Sequence, residues 1–284
     1  MRAHGSVKEP EARPADHLCW VHDDDESFDM AVRAFLAGGL ARGERLLCVG
    51  ERAIATLDGA GEDLGDVPGL LADGALGTMT VVEAYAVAGP LVAERQRAFY
   101  ATETARALAD GYSGLRVVAE LSELAADSGQ HAELVRWEHV ADELLASGAG
   151  MTAMCAYRSD LPPATLGDVL AVHPLAHGPG HVTPYRLFFD ADRVVLTGSV
   201  DTSTAGRLAT ALAGTPTGRS AVLDLGGLEF VDVAGCRALA GWAIALRDRG
   251  VPLEIRGASA LVQRIWRILG FSDIAPVTFA DARG

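Results

Sequence analysis

The sequence predicts an α/β protein in two domains, and three observations carry that reading. Its 284 residues are enough for two ordinary cores, and 49% hydrophobic with 22% charged residues is the composition of a soluble globular chain. Over roughly the first 175 residues, apolar runs of strand length alternate with amphipathic stretches of helical period. AHGPGHVTPY at 176–185 then breaks the alternation with two prolines and two glycines, which suit neither a helix interior nor a central strand.

Taken in order, residues 1–15 are polar and contain prolines, so they are expected to form a disordered tail, with order beginning near Asp16. DDDE at 23–26 lacks the pattern of a calcium loop and supplies negative charge to the first turn of the next helix. RLLCV (45–49), TMTVVE (78–83), LRVVAEL (115–121) and MTAMCAY (151–157) read as strands, separated by helical stretches at 26–42, 91–110, 130–147 and 164–172. Strands apolar on both faces, alternating with helices, predict a parallel sheet covered by helices on each side. This first domain is expected to span 16–175, followed by a linker at 176–184. YRLFFDADRVVLTG opens the second domain, 185–284, as a hairpin about Asp190-Ala191-Asp192. A helix at 203–213, a strand at 220–225, a helix at 235–249, a strand at 251–255 and a helix at 259–270 follow. Between them LEFVDVAGCRAL (228–239) is a short strand ending on Asp232 that turns into a helix, where Ala238, Leu239, Trp242, Ala243 and Leu246 recur at helical spacing.

Charge and composition exclude several functions. A formal net charge of −14 opposes binding to nucleic acid, whose affinity rests on Lys and Arg displacing counterions. Lys8 is the only lysine, so a phosphate loop with its Gly-Lys step and a lysine nucleophile both lack their central residue. Cys19, Cys48, Cys155 and Cys236 show no Cys-x-x-Cys spacing and read as buried free thiols. His173, His177 and His181 recur every four residues, but Pro174, Gly178 and Pro179 forbid a helix through them, so no metal or other cofactor is expected. No run of about 18 apolar residues occurs, and the N-terminal stretch has no apolar core of a signal peptide, so a cytoplasmic protein without membrane contact is expected. No Gly-x-Ser-x-Gly elbow or paired catalytic acids support an enzyme.

VVLTGSVDTSTAGRLATAL and SAVLDLGGLEFVDVAGCRALAGWAIALRDRGVPLEIRGASALVQRIWRILGF resemble a STAS domain of the anti-sigma factor antagonist type. The order of motifs carries the resemblance: Gly198 to Asp201 before the first helix, the Asp224-Leu225 strand, an Asp-x-x-Gly turn at Asp232, a long helix and a closing LGF. The resemblance implies docking on an anti-sigma factor with a serine-kinase fold, through Asp201, Thr202, Asp232, Val233, Ala234, Gly235 and Cys236. In such antagonists the turn carries a hydroxyl residue that the kinase phosphorylates; Ala234 stands there in this chain and cannot accept phosphate. Adding about two negative charges at a helix N-terminus is what makes such a residue a switch. Asp201 and Asp232 also serve as helix caps whatever the function. Ser199, Thr202, Ser203 and Thr204 offer hydroxyls nearby. A scaffold acting through homo-oligomers is the second reading.

DHLCWVHDDDESFDMAVRAFLAGGLARGERLLCVGE, WEHVADELLASGAGMTAMCAYR and LAVHPLAHG resemble the MEDS sensory domain. That resemblance implies a RecA-like three-layer fold without a phosphate loop, and a sensory role with a small-molecule ligand of unstated class. Strand C-termini of open α/β sheets face the ligand crevice, which selects Glu120 and Ser122 after one strand and Tyr157 and Arg158 after another. His17, Glu138 and His173 join this candidate ligand site from the motifs.

Overall fold

The computed structural model describes residues 2–86, 89–181 and 183–281, so residue 1 of the expected tail, residue 182 of the expected linker and the last three residues of the second domain lie outside it. The chain forms two compact units that divide between residues 182 and 183.

The first unit contains β1 (Gly5–Ser6), β2 (His17–His22), α1 (Asp25–Leu40), β3 (Arg45–Val49), α2 (Glu51–Ala55), α3 (Gly61–Leu64), α4 (Val67–Ala72), β4 (Leu76–Met79), a π turn at Val82–Ala86, α5 (Ala93–Ala109), β5 (Leu115–Glu120), α6 (Ser122–Ala126), α7 (His131–Ala146), β6 (Met151–Arg158), α8 (Pro163–Ala171) and β7 (Leu175–His177). Its seven strands run in the order β1-β7-β2-β6-β5-β3-β4, and every pairing is parallel. Helices cover both faces, giving the three-layer α/β architecture. Residues 18, 20, 46, 48, 118, 154 and 156 point to the α1 side, where Phe28, Val32, Phe35 and Leu36 complete one core. Their odd-numbered neighbours His17, Cys19, Cys155 and Tyr157 point to the other side, because successive side chains of a strand alternate between faces.

No phosphate loop occupies the turn from β2 to α1. Asp24 caps α1 there by accepting from the Ser27 amide at 2.8 Å, with Asp25 and Glu26 in the first turn, as the acidic run predicts. The strand expected at 78–83 lies earlier, and Thr80 instead starts the π turn through Glu83, whose carboxylate accepts from the Thr80 amide at 2.7 Å.

The expected disordered tail is ordered from Arg2 onward. Gly5–Ser6 adds an edge strand to β7, Ala12 is buried, and Arg2 reaches the buried carboxylate of Asp142 at 2.5 Å. These are all long-range contacts, which local composition does not encode. The expected linker likewise begins inside the sheet, since Ala176 and His177 belong to β7 and His177 stacks on Trp20 at 3.9 Å.

The second unit contains β8 (Tyr185–Asp190), β9 (Arg193–Val200), α9 (Ala205–Gly214), β10 (Ala221–Asp224), β11 (Leu228–Val231), α10 (Val233–Asp248), β12 (Leu253–Arg256), α11 (Ala260–Ile268), α12 (Phe271–Ile274) and β13 (Thr278–Ala280). β8 and β9 form the expected antiparallel hairpin, with Ala191 at φ 58° in its two-residue turn. The remaining pairings are parallel in the order β11-β9-β10-β12-β13, which leaves β11 at an edge. Among the described residues no helix is long and apolar enough to cross a membrane, and all four cysteines are free and buried.

Candidate functional site

The residues singled out by sequence gather at one place in the second unit and at two in the first. In the second unit the turn from β11 to α10 brings two loops together. Asp232 has extended backbone at φ −92° and caps α10, its Oδ1 accepting from the Gly235 amide at 2.9 Å. Its Oδ2 accepts from the Thr202 hydroxyl at 2.8 Å, so the loop after β9 is tied to the helix start. Asp201 organises that loop, accepting from the Ser203 amide at 2.9 Å and the Ser203 hydroxyl at 2.6 Å, and from the amide and hydroxyl of Thr204. The Gly235 amide and Thr202 hydroxyl hold the Asp232 carboxyl below its ordinary pKa, as the hydroxyls of Ser203 and Thr204 do for Asp201.

The glycine at 235 has a steric cause. A Cβ there would meet Val231 Cγ2 at 2.6 Å and Val200 Cγ1 at 2.9 Å, so only hydrogen lets α10 close on the sheet. Gly235 and Cys236 are therefore buried, and they do not belong to an outward-facing surface as expected: they pack the helix end against β9 and β11. What faces solvent is Asp201, Thr202 and Val233, with Asp232 and Ala234 half-buried. Phe230, missed from sequence, stands 53% exposed on the edge strand β11, and an apolar residue so placed two positions before a helix cap is the signal that could have found it.

In the first unit the expected ligand site separates into two. His17, Glu138, Tyr157 and His173 come together with Cys155, and all five are fully buried or nearly so. β2 delivers His17, β6 delivers Cys155 and Tyr157, α7 delivers Glu138, and the segment after α8 delivers His173. Glu138 is the hub. Its Oε2 lies 3.3 Å from His17 Nε2, 3.4 Å from His173 Nε2 and 3.1 Å from Cys155 Sγ, while its Oε1 accepts from the Tyr157 hydroxyl at 2.5 Å. The imidazoles of His17 and His173 lie 4.0 Å apart, centroid to centroid. Outside this ring of groups, His17 Nδ1 faces Asp142 Oδ1 at 3.4 Å, and His173 Nδ1 lies 2.7 Å from the Val169 carbonyl oxygen.

Electrostatics follow from burial set against neighbours. Burial pushes the Glu138 carboxyl up, but hydrogen bonds and charge from His17 and His173 hold it far below the ordinary range. Burial opposes charge on His17, and Asp142 with Glu138 outweighs it and raises that ring's pKa. Burial, then the charge of Glu138, raises the Cys155 thiol and the Tyr157 phenol.

Glu120, Ser122 and Arg158 form no part of this cluster, contrary to the expectation. Glu120 pairs in register with Ala156, so its side chain lies on the opposite face of the sheet from Cys155 and Tyr157. There the Ser122 hydroxyl donates to Glu120, His22 Nε2 lies 3.9 Å from it, and the Arg158 amide donates to Ser122 Oγ at 2.8 Å. The Arg158 guanidinium turns to solvent and pairs with Asp160 at 3.0 Å. An open groove of about 490 Å³ lies elsewhere in this unit, lined by Ile54, Leu57, Val67, Pro68 and Leu71 among others, and was not visible in the sequence.

Comparison with known proteins agrees with this division. A family described as MEDS, the methanogen/methylotroph DcmR sensory domain, matches residues 16–174, and one described as Mlab, STAS domain, matches residues 185–277. A comparison with curated proteins finds no match.

Proposed function

Since the chain belongs to the MEDS family of sensory domains and continues into a STAS domain, we propose that it is a non-enzymatic signalling regulator whose second unit docks on an anti-sigma factor with a serine-kinase fold, in a form that phosphorylation cannot switch off. STAS domains mediate protein–protein contacts, which supports the docking half of this reading. The observation that carries the rest is the start of α10: Asp232 and Thr202 hold an ordered rim, and Ala234 stands in its first turn without a hydroxyl. Three of the four nearby hydroxyls already hold contacts within the chain. Thr204 is buried, Ser203 and Thr204 are engaged by Asp201, and Thr202 is engaged by Asp232. Val233 and Phe230, 40% and 53% exposed, supply apolar contact beside the rim. The first unit supplies the sensory input to a small molecule.

The test is a binding measurement on the full chain with the kinase-like partner recovered from the native host. Ala234→Asp puts one negative charge on the rim. The fold tolerates it, because an acid in a helix first turn is mildly favourable. Binding should weaken by about 3–4 kcal/mol, roughly two to three decades, since an unpaired charge is desolvated in the complex. With partner and ATP the native turn at 232–236 should take no phosphate, and Ala234→Ser should introduce a site seen by phosphopeptide mass spectrometry. A folded Ala234→Asp chain that binds the partner unchanged places the interface elsewhere and favours the homo-oligomeric scaffold.

A further inference from the structure

We propose that His17, Glu138, Cys155 and His173 form a closed, tetrahedral site for a divalent transition metal, zinc by the chemistry of its donors, inside the MEDS unit. Their four donor atoms all lie within 4.8 Å of one another. Zinc binds nitrogen and oxygen at about 2.0–2.2 Å and thiolate sulfur at about 2.3 Å, so the edges of its tetrahedron measure about 3.3–3.6 Å. Four of the six edges measure 3.3 Å from His17 Nε2 to Glu138 Oε2, 3.4 Å from His173 Nε2 to Glu138 Oε2, 3.5 Å from His17 Nε2 to Cys155 Sγ and 3.1 Å from Cys155 Sγ to Glu138 Oε2. Along these four edges the cluster needs little contraction or expansion to hold the ion, and the two remaining edges, from His173 to His17 and to Cys155, lie within 4.8 Å.

The outer contacts point the same way. A metal-bound histidine donates its other ring N–H to a carboxylate or backbone carbonyl, which fixes the tautomer and turns the remaining lone pair to the metal. His173 meets that condition through the Val169 carbonyl at 2.7 Å, while His17 Nδ1 faces the Asp142 carboxylate at 3.4 Å without a formed hydrogen bond. The Tyr157 hydroxyl holds the second Glu138 oxygen in the same manner. Once the imidazole protons sit on the outer nitrogens and the Cys155 thiol, which donates to Glu138, gives up its proton, two imidazole lone pairs, a carboxylate oxygen and a thiolate converge on one point. A dication is the partner these groups share. Two imidazoles, a thiolate and a carboxylate are a borderline-soft set that favours zinc over magnesium or calcium. Two negative ligands also make the buried unit neutral, and on binding the thiol proton of Cys155 leaves to solvent. With four protein ligands and no exposed donor, the site is of the structural kind rather than the catalytic kind, which keeps an open position. This inference does not depend on the docking surface of the second unit.

The full chain, expressed with zinc and separately exchanged with cobalt(II), tests it. One equivalent of metal per chain is expected, and the cobalt form should show the intense visible bands of a tetrahedral centre with a thiolate-to-cobalt charge-transfer band. Cys155→Ser should abolish the charge-transfer band, while Cys19→Ser, a change to the buried thiol paired with it across the sheet, should keep it. Asp142→Asn, one shell out, should weaken metal binding about 10- to 100-fold and leave the band in place. X-ray absorption on the native zinc form keeps the test decisive if Cys155→Ser does not fold, since it reads one sulfur and three light-atom ligands directly. A folded native chain that binds neither ion at stoichiometric concentration, or a cobalt form with a six-coordinate spectrum and no thiolate band, overturns the proposal.

Discussion

Gly235→Ala is the smallest change that tests how the candidate docking rim is built. The new methyl would lie 2.6 Å from Val231 Cγ2 and 2.9 Å from Val200 Cγ1. Carbon atoms in good contact sit about 3.5–4.0 Å apart, so both valines must leave their positions or the first turn of α10 must lift by about 1 Å. Overpacking of this kind costs about 1–3 kcal/mol. Replacing a helical glycine by alanine returns at most about 1 kcal/mol, which leaves a net loss within about 0–3 kcal/mol and centred on about 1–2 kcal/mol. For a unit of about 100 residues each kcal/mol moves the midpoint by about 4–8 °C, so the transition of the second unit should fall by about 5–15 °C. Calorimetry of the full chain reads that shift, and hydrogen exchange of the amides at 233–239 reads the lifted turn. Val231→Ala removes the closer methyl, so combined with Gly235→Ala it should recover part of the loss, giving a favourable coupling of about 0.5–1 kcal/mol between neighbouring sites. A Gly235→Ala chain as stable as the native one, or a double variant that loses the plain sum of both single losses, would refute the steric account.

Two further changes probe the first unit. Glu44→Ala strips the buried Arg116 guanidinium of the carboxylate 2.5 Å away, leaving the Phe35 and Ala12 carbonyls and the Phe35 ring, and should destabilise by about 3–5 kcal/mol in denaturant titration. Arg2→Ala removes the bond to Asp142 and should free the N-terminal arm, read as faster limited proteolysis within residues 3–15 while cleavage elsewhere is unchanged.

Much of this fold is legible in the residues because its signals are local. The strands at 45–49, 115–121 and 151–157 are apolar on both faces, and both their type and the parallel sheet follow. The N-terminal arm is illegible for the opposite reason: Gly5 and Ser6 gain their order from Leu175 and Ala176, about 170 residues away. The first-unit cluster was half legible. His17, Glu138, Tyr157 and His173 were singled out, yet grouped with Glu120, Ser122 and Arg158, because strand ends alone do not say which face a side chain takes. Register does. Cys155 lies two residues before Tyr157 and so shares its face, a signal present in the sequence but masked by the apolar run around it. Linear spacing does not reveal His17, Glu138, Cys155 and His173 as one group, since they come from four separate parts of the chain.

Exposure sorts the two carboxylates at the centres of these clusters into different roles. Glu138 is fully buried, and every group near it is fixed by a strand, a helix or a backbone carbonyl. A buried charge held in this way tolerates no loss of a partner, so its neighbours must stay in place or exchange for something of equal charge. Asp232 is the reverse case. Its cap and its bond to Thr202 are satisfied within the chain, while its surroundings remain open to water, so a partner's charge can add to or oppose the field at the start of α10 without disturbing the fold. Alanine at 234 adds no charge of its own to this helix end, where Asp232 caps the first amides and Asp201 lies exposed on the adjoining loop.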